Sequence, residues 1–355
     1  MAVSNTNARS STLDGLLSST WDEYHKDGEF QDAIFKSNYY FYKLYQAGRI
    51  TKNCSGTLCA VNLMYAENEN AQSVGPYDTF ATDATDGFTQ ALYPWCEYVV
   101  PVIIDRISKV KNSGKAAIVD LVDAKRQQAK MTAISLLNKH LMDIEDISKT
   151  ATGNGGKNIY GLPLIVATDN TYDPAGIDTS ANTWWDNKRK SWGDVDSYAG
   201  FRADVQDTYL QASEGPGGAP DIGVCDRITW AAFERSMIDQ RRYTSGESAS
   251  MGFPTIMYWK CEVGFDEHVP DLAGGANWDA AASPTGTGEG TLWFVNSNFM
   301  ELKVMRDSDF VSTGFMPALN QLASINHLIF AGQHVCSNRR KQAVLQAIEG
   351  SACVS

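Results

Sequence analysis

The sequence predicts an α+β protein made of an extended ribbon, one long helix and a compact mixed unit with returning strands. Three observations predict it. Residues 53–104 run for 52 positions without a single Lys or Arg, with β-rich apolar runs at both ends. Residues 113–146 carry the longest helical pattern in the chain. From Tyr160 onward short strands and helices alternate between turns, and long strands return after residue 290.

The first twenty residues are small and polar, as an unanchored terminus is. Glu29–Gln46 sets Phe30, Ile34, Phe41 and Tyr45 at helical intervals. Its aromatic density fits docking on the chain's own core or on a neighbour. Next come Thr57–Tyr65 (TLCAVNLMY) and Tyr93–Ile104 (YPWCEYVVPVII), read as the two strands of the ribbon. Ala66–Gln90 reads as its polar, acidic tip. The carboxylates of the segment are Glu67, Glu69, Asp78, Asp83, Asp86 and Glu97. A two-stranded ribbon buries too little surface to stand alone, and its one-signed charge calls for a basic partner outside the segment.

Ser113 and Gly114 open the long helix, which is expected to reach about Asp146. Ile118, Val122, Ala129, Ala133, Leu136, Leu137, His140 and Ile144 recur along one side. At full length it would be about 50 Å long. Lys125, Arg126, Lys130 and Lys139 give its middle a basic run without acids. Gly153–Gly156 stops it. Then GLPLIVA (161–167) reads as a strand, followed by a loop with Trp184, Trp185 and Trp192, and by a helix over Ser197–Ala212. EGPGGAP (214–220) breaks the chain before a strand at DIGVC (221–225). Asp226 is placed to N-cap a helix through Trp230 and Phe233. PTIMYWKCEV (254–263) is a further strand, and a Gly/Ala/Ser/Pro tract spans 273–290. TLWFVN (291–296), MELKVM (300–305) and SINHLIFAGQHVCSN (324–338) are the returning strands. The basic cluster Arg339-Arg340-Lys341 precedes QAVLQAI (342–348), read as a short apolar helix.

Hydrophobic content of 43% and aromatic content of 11% describe a folded chain, and 355 residues allow two average domains or one large one. A net charge of −12 argues against tight, sequence-independent binding to nucleic acid. The seven cysteines are scattered, without CxxC or Cys/His metal spacing, and read as reduced thiols. The N-terminal residues lack the apolar core of a signal peptide, and no run approaches a membrane span. A soluble protein made in the cytoplasm is expected.

Chemistry is sparse. Gly155-Gly156-Lys157-Asn158 lacks the first Gly and the Ser/Thr of a phosphate loop and follows a helix, so it reads as a helix stop. Gly286-Thr287-Gly288-Glu289-Gly290 precedes a strand and no helix, which argues against a dinucleotide fingerprint. His334 and Cys336 share a strand face with no second ligand pair near in sequence. Asp266-Glu267-His268 has catalytic residue types but no nucleophile pattern. No catalytic, cofactor or metal site is assigned.

The order of these pieces resembles the major capsid proteins of tailed double-stranded-DNA bacteriophages. Asp32–Asn38 (DAIFKSN) is similar to the family's N-terminal segment, and Leu63-Met64-Tyr65 with Glu67-Asn68 to the start of its hairpin. Thr152–Lys157 with Gly161-Leu162 is similar to the motif after its long helix. Gly290–Asn296 with Glu301-Leu302, and Ala331-Gly332 through Val335–Arg340, are the strongest matches. The resemblance covers roughly residues 12–350.

The resemblance implies a tailed-phage major capsid fold: an N-terminal arm at 1–48 and an extended β-hairpin loop at 49–104. It further implies a peripheral domain with a long spine helix at 105–160 and 291–355, and an axial domain at 161–290. The implied function is a structural shell subunit, not an enzyme, forming pentamers and hexamers around packaged double-stranded DNA. Implied partners are other copies of itself, a separate scaffolding protein, a portal and a decoration protein. No membrane partner and no cofactor are implied; the location is the virion, after assembly in the host cytoplasm. About 48 residues before the ribbon leave no room for a fused scaffold, and a ribbon without lysine has none to weld covalently to a neighbour. Glu67, Glu69, Asp78, Asp83 and Asp86 are expected to meet Lys125, Arg126, Lys130, Arg339, Arg340 or Lys341 of an adjacent subunit. The same-fold alternative is a cellular nanocompartment shell. An enzyme housed in 161–290 would instead need a cleft with convergent titratable groups.

Overall fold

The computed structural model describes residues 39–68, 70–79, 83, 86–107, 121–142, 157–168, 170, 172–191, 198–236, 255–266, 268–269, 289–319 and 321–349. They form two compact units. The larger draws on Lys36–Glu97, Leu136–Asp309 and Ala331–Ser355, the smaller on Tyr98–Ser135 and Phe310–Phe330.

In chain order the elements begin with α1 (Tyr39–Gln46), β1 (Ile50–Cys54), β2 (Cys59–Met64), β3 (Phe88–Tyr93), β4 (Cys96–Asp105) and α2 (Leu121–Leu141). Then follow α3 (Leu162–Ile165), β5 (Lys188–Ser191), α4 (Tyr198–Ser213), β6 (Ile222–Cys225), α5 (Arg227–Ser236), β7 (Thr255–Tyr258) and β8 (Cys261–Phe265). The last are β9 (Glu289–Val295), β10 (Met300–Met305), β11 (Val311–Ser312), β12 (Met316–Pro317), β13 (Ala323–Cys336) and β14 (Ala343–Glu349).

A mixed sheet in the order β5-β14-β9-β6-β8-β7 organises the larger unit. Its middle strands are buried on both faces, and the two-residue pleat sorts their side chains. Trp293, Val295, Val224 and Val344 point to one side, with Tyr39, Tyr40 and Leu44 of α1 in the same core. Leu292, Phe294, Cys225, Ala343 and Leu345 point to the other, packed with Phe201, Val205 and Tyr209 of α4 and Phe233 of α5. Asp226 caps α5: its carboxylate accepts the Thr229 N–H at 3.3 Å and also the Thr291 N–H at 3.1 Å. Gly264 is where the Tyr39 ring lies, and a Cβ there would meet that ring at 2.7 Å.

Five readings are corrected. PTIMYWKCEV (254–263) is not one strand but most of the antiparallel hairpin of β7 and β8, which turns at Trp259 and Lys260. QAVLQAI (342–348) is strand β14, between β5 and β9. Ala343, Val344 and Leu345 are buried in succession, so the alternation that marks a strand is absent there. GLPLIVA is the single helical turn α3, with Pro163 in its first turn, where a missing N–H costs nothing. The ribbon pairs β2 with β3, Cys59 opposite Tyr93 through Met64 opposite Phe88. Tyr93–Ile104 is therefore not its second strand; β4 starts after Pro94 and Trp95 and pairs with β13. In α1 the buried residues are Tyr39, Tyr40, Lys43 and Leu44, while Tyr45 is exposed, so the inward stripe lies one position earlier than the sequence period placed it.

Of the long helix, α2 is described. Ala129, Ala133 and Leu137 are buried as expected. Its opening at Ser113 and the Gly153–Gly156 stop lie outside the described residues. So do the helical reading of residues 29–38, the tract at 273–288 and Cys353. The other six cysteines are free thiols. Among the described residues no helix is long and apolar enough to cross a membrane.

Candidate assembly surfaces

The ribbon is built like a strap with one dry face. On the inner side Cys59, Leu63, Ala91 and Tyr93 are buried in the larger unit's own core, with Trp184 and Tyr172 packed against the same core. On the outer side Ala60, Asn62 and Met64 lie opposite Leu92, Gln90 and Phe88. Gln90 donates to the Asn62 amide oxygen at 3.0 Å. Met64 and Phe88, paired in register, are each 73% exposed. At the base of the tip, Tyr65 stacks on Trp184 with centroids 5.0 Å apart, and its hydroxyl donates to the Asp86 carbonyl at 3.1 Å. The partner the ribbon needs for support is thus its own chain.

Its charge is another matter. Glu67, Asp78, Asp83, Asp86 and Glu97 are exposed. Asp78 accepts the Gly75 N–H at 2.6 Å. Among the described residues none of these carboxylates forms an ion pair within the chain. Glu69 lies outside the described residues.

The basic candidates scatter. Lys125 is half-buried and donates to the Ile103 carbonyl at 3.2 Å. Lys130 is exposed, and the Arg126 side chain lies outside the described part. Arg339-Arg340-Lys341 occupies a 3-10 turn, where three residues complete one revolution and successive side chains diverge by about 120°. A cluster in sequence is therefore dispersed in space. Arg339 is wholly buried. It donates to Ile165 O at 2.6 Å, Thr179 Oγ1 at 2.9 Å, Trp185 O at 3.2 Å and Asn187 Oδ1 at 3.1 Å. Burial pulls its pKa down to about 10, which leaves it charged at neutral pH. Lys341 is buried too and donates to the carbonyls of Glu214 and Gly215 at 2.6 and 2.9 Å, just past the C-terminus of α4, where a cation suits the helix dipole. Both are consumed by the chain's own fold, and only Arg340 of the three faces solvent.

The residues of catalytic type are also structural. His334 is buried, its Nδ1 donating to the Tyr160 carbonyl at 3.1 Å and its Nε2 accepting from the Tyr40 hydroxyl at 3.0 Å. Burial lowers its pKa to about 4, so the ring is neutral. Asp266 accepts the N–H groups of Tyr40 and His268, both at 3.1 Å, and the Asn138 amide at 3.3 Å. Burial raises the Cys336 thiol to about 12, which silences it as a nucleophile. Among the described residues no group of three His, Cys, Asp or Glu is arranged to hold a metal ion.

Sequence reasoning missed one basic element, Lys188-Arg189-Lys190 on β5. Its signal was present as three consecutive cations, but period and propensity do not say that this strand forms a sheet edge. In the smaller unit, residues 310–330 contain no Asp, Glu, Lys or Arg. They expose Phe315, Met316, Leu319 and Leu322 around β11, β12 and the start of β13.

No protein-family model and no curated protein sequence matches the chain. Solved structures do match in fold. The cyanophage A-1(L) capsid asymmetric unit superposes with a TM-score of 0.55 at 11% identity, over 90% of this chain and 95% of that one. The capsid of an empty GTA particle gives 0.51 at 14% identity over 91% and 92%, and that of a native GTA particle 0.51 at 10% over 86% and 90%. The protein has the tailed-phage capsid fold.

Proposed function

From that fold we propose that the protein is a major capsid protein, a structural subunit that forms pentamers and hexamers and closes into an icosahedral head around double-stranded DNA. One observation carries the reading. The likeness runs nearly end to end on both chains, so it leaves little of the chain for a separate catalytic domain. The polar groups of catalytic type support it, because Asp266, His334 and Cys336 are committed to packing and hydrogen bonds. The role is that of a building block, not an enzyme. The chain would sit in the virion after assembly in the host cytoplasm, with a separate scaffolding protein, a portal and a decoration protein as partners.

A net charge of −12 suits a container, since strong attachment to the packed polyanion would obstruct its packaging. The acidic tip (Glu67, Glu69, Asp78, Asp83 and Asp86) is proposed to meet cations of a neighbouring copy. Lys125, Arg126, Lys130 and Arg340 remain candidates, and Arg339 and Lys341 do not. Each exposed pair contributes about 0–1 kcal/mol, so the effect rests on many copies and weakens with salt.

Electron microscopy of the purified protein tests the proposal. Icosahedral shells or capsomers are expected, with nucleic acid inside particles recovered from their natural source. Shells holding a protein cargo and no nucleic acid would favour a nanocompartment. A protein that stays monomeric across concentration and salt would sink the shell reading. Covalent oligomers mapped to 53–104 on a denaturing gel would contradict the expectation of a ribbon without a lysine weld.

A further inference from the structure

At the β5 edge of the larger unit's sheet lies a cavity of about 370 Å³, lined by Thr183, Asp186, Asn187, Gln211 and the cations Lys188, Arg189 and Arg340. Its size falls at the lower end of ligand-site volumes. Three cations face one carboxylate. Arg189 pairs with Asp186, yet its Nε is buried without a hydrogen-bond partner. Lys190, the next cation along β5, is occupied by Asp204 at 2.9 Å and Asp207 at 2.6 Å. Lys188 and Arg340 have no side-chain partner among the described residues. Among the described residues β5 is an edge strand, paired with β14 alone.

We infer that this cavity receives the carboxylates of the ribbon tip of a second copy, with Glu67, Asp83 and Asp86 as the incoming groups. The inference rests on the shell reading and supplies its partner surface. Charge complementarity carries it: a tip without a base meets a cavity with two unspent cations. The tip's base lies close by, since Tyr65 stacks on Trp184, the neighbour of Thr183. Even so, no described carboxylate of the chain's own tip reaches Lys188 or Arg340. The tip and the cavity are different parts of the chain, so their contact is heterologous, and such a contact closes into rings when the rotation allows.

Charge reversal and cross-linking test it. Lys188→Glu with Arg340→Glu should raise the concentration needed for half-assembly at least ~10-fold, since ~1.4 kcal/mol over the lost pairs corresponds to that factor. Combining it with Glu67→Lys and Asp83→Lys should restore assembly. The milder pair Lys188→Gln and Arg340→Gln, checked by thermal melting, separates this loss from misfolding. In shells made from isotopically heavy and light chains, carbodiimide should join Lys188 to tip carboxylates in heavy–light peptides.

Links found only within one chain overturn the pairing. So does parent-like assembly of the folded Lys188 and Arg340 variants while the parent makes shells, including where they lose only inorganic phosphate binding in titration. A parent chain that never leaves the monomer overturns this pairing together with the shell reading.

Discussion

The middle strands of the large sheet and the β2–β3 ribbon share a backbone conformation and little else. β9 buries Leu292, Trp293, Phe294 and Val295 in succession, on both faces, and β14 does the same with Ala343, Val344 and Leu345. The ribbon alternates, Cys59 and Leu63 inward, Ala60, Asn62 and Met64 outward. Two-sided strands hold the subunit together; a one-sided ribbon keeps a face in reserve. Stability and assembly should therefore respond to different substitutions.

The largest expected effect is in the sheet. Trp293→Ala removes a wholly buried indole whose N–H donates to the Val166 carbonyl at 3.2 Å. It should cost about 3–5 kcal/mol, read as a shift of the urea midpoint at constant slope. Arg339→Ala should come next. Deleting the guanidinium strands Ile165 O, Thr179 Oγ1, Trp185 O and Asn187 Oδ1, each worth about 1–3 kcal/mol if left dry. With some relaxation, a loss of about 3 kcal/mol is expected. A loss near zero would show that water reaches the site.

Acid should find the same core. The His334 imidazole has a folded pKa near 4 against 6.5 for the free side chain. Between those values the unfolded chain takes up a proton that the folded chain refuses. Stability is therefore full above about pH 6.5 and falls as pH drops toward 4, by up to about 3 kcal/mol. Burial raises the Asp266 carboxyl, so acidification acts on it in the opposite sense. Comparing His334→Gln with the parent in urea melts at several pH values isolates the imidazole, and the variant should lose this slope.

The same contrast explains what could be read in advance. A strand buried on one face announces itself by alternation, and β2, with Leu63 in and Met64 out, was legible. β14 has Ala343, Val344 and Leu345 all buried, a continuous apolar run that fits a helix as well as a strand. Asp226 as an N-cap was legible because capping is local chemistry. Arg339 was not: nothing local tells a buried arginine from its exposed neighbour Arg340. The cavity at β5 was hidden for a related reason, since it joins Lys188 to Arg340 across 152 positions of sequence. The end-to-end order of elements carried the fold; the placement of individual cations needed tertiary structure.

The smaller effects should divide the ribbon along its pleat. Leu63→Ala, on the buried face, should cost the isolated subunit about 2–3 kcal/mol. Replacing the outer pair, Met64→Ser with Phe88→Ser, should change subunit stability by no more than about 0.5 kcal/mol, because both side chains already meet water. If the outer face is covered in the shell, that same pair should raise the concentration at which particles form while leaving the melt unchanged. The two readouts then separate. A melt that drops with the outer pair would mean that the ribbon is a two-sided element like β9. A melt and an assembly threshold that both stay fixed would leave the tip's charge, and not its apolar pair, as the part of the ribbon that reaches a neighbour.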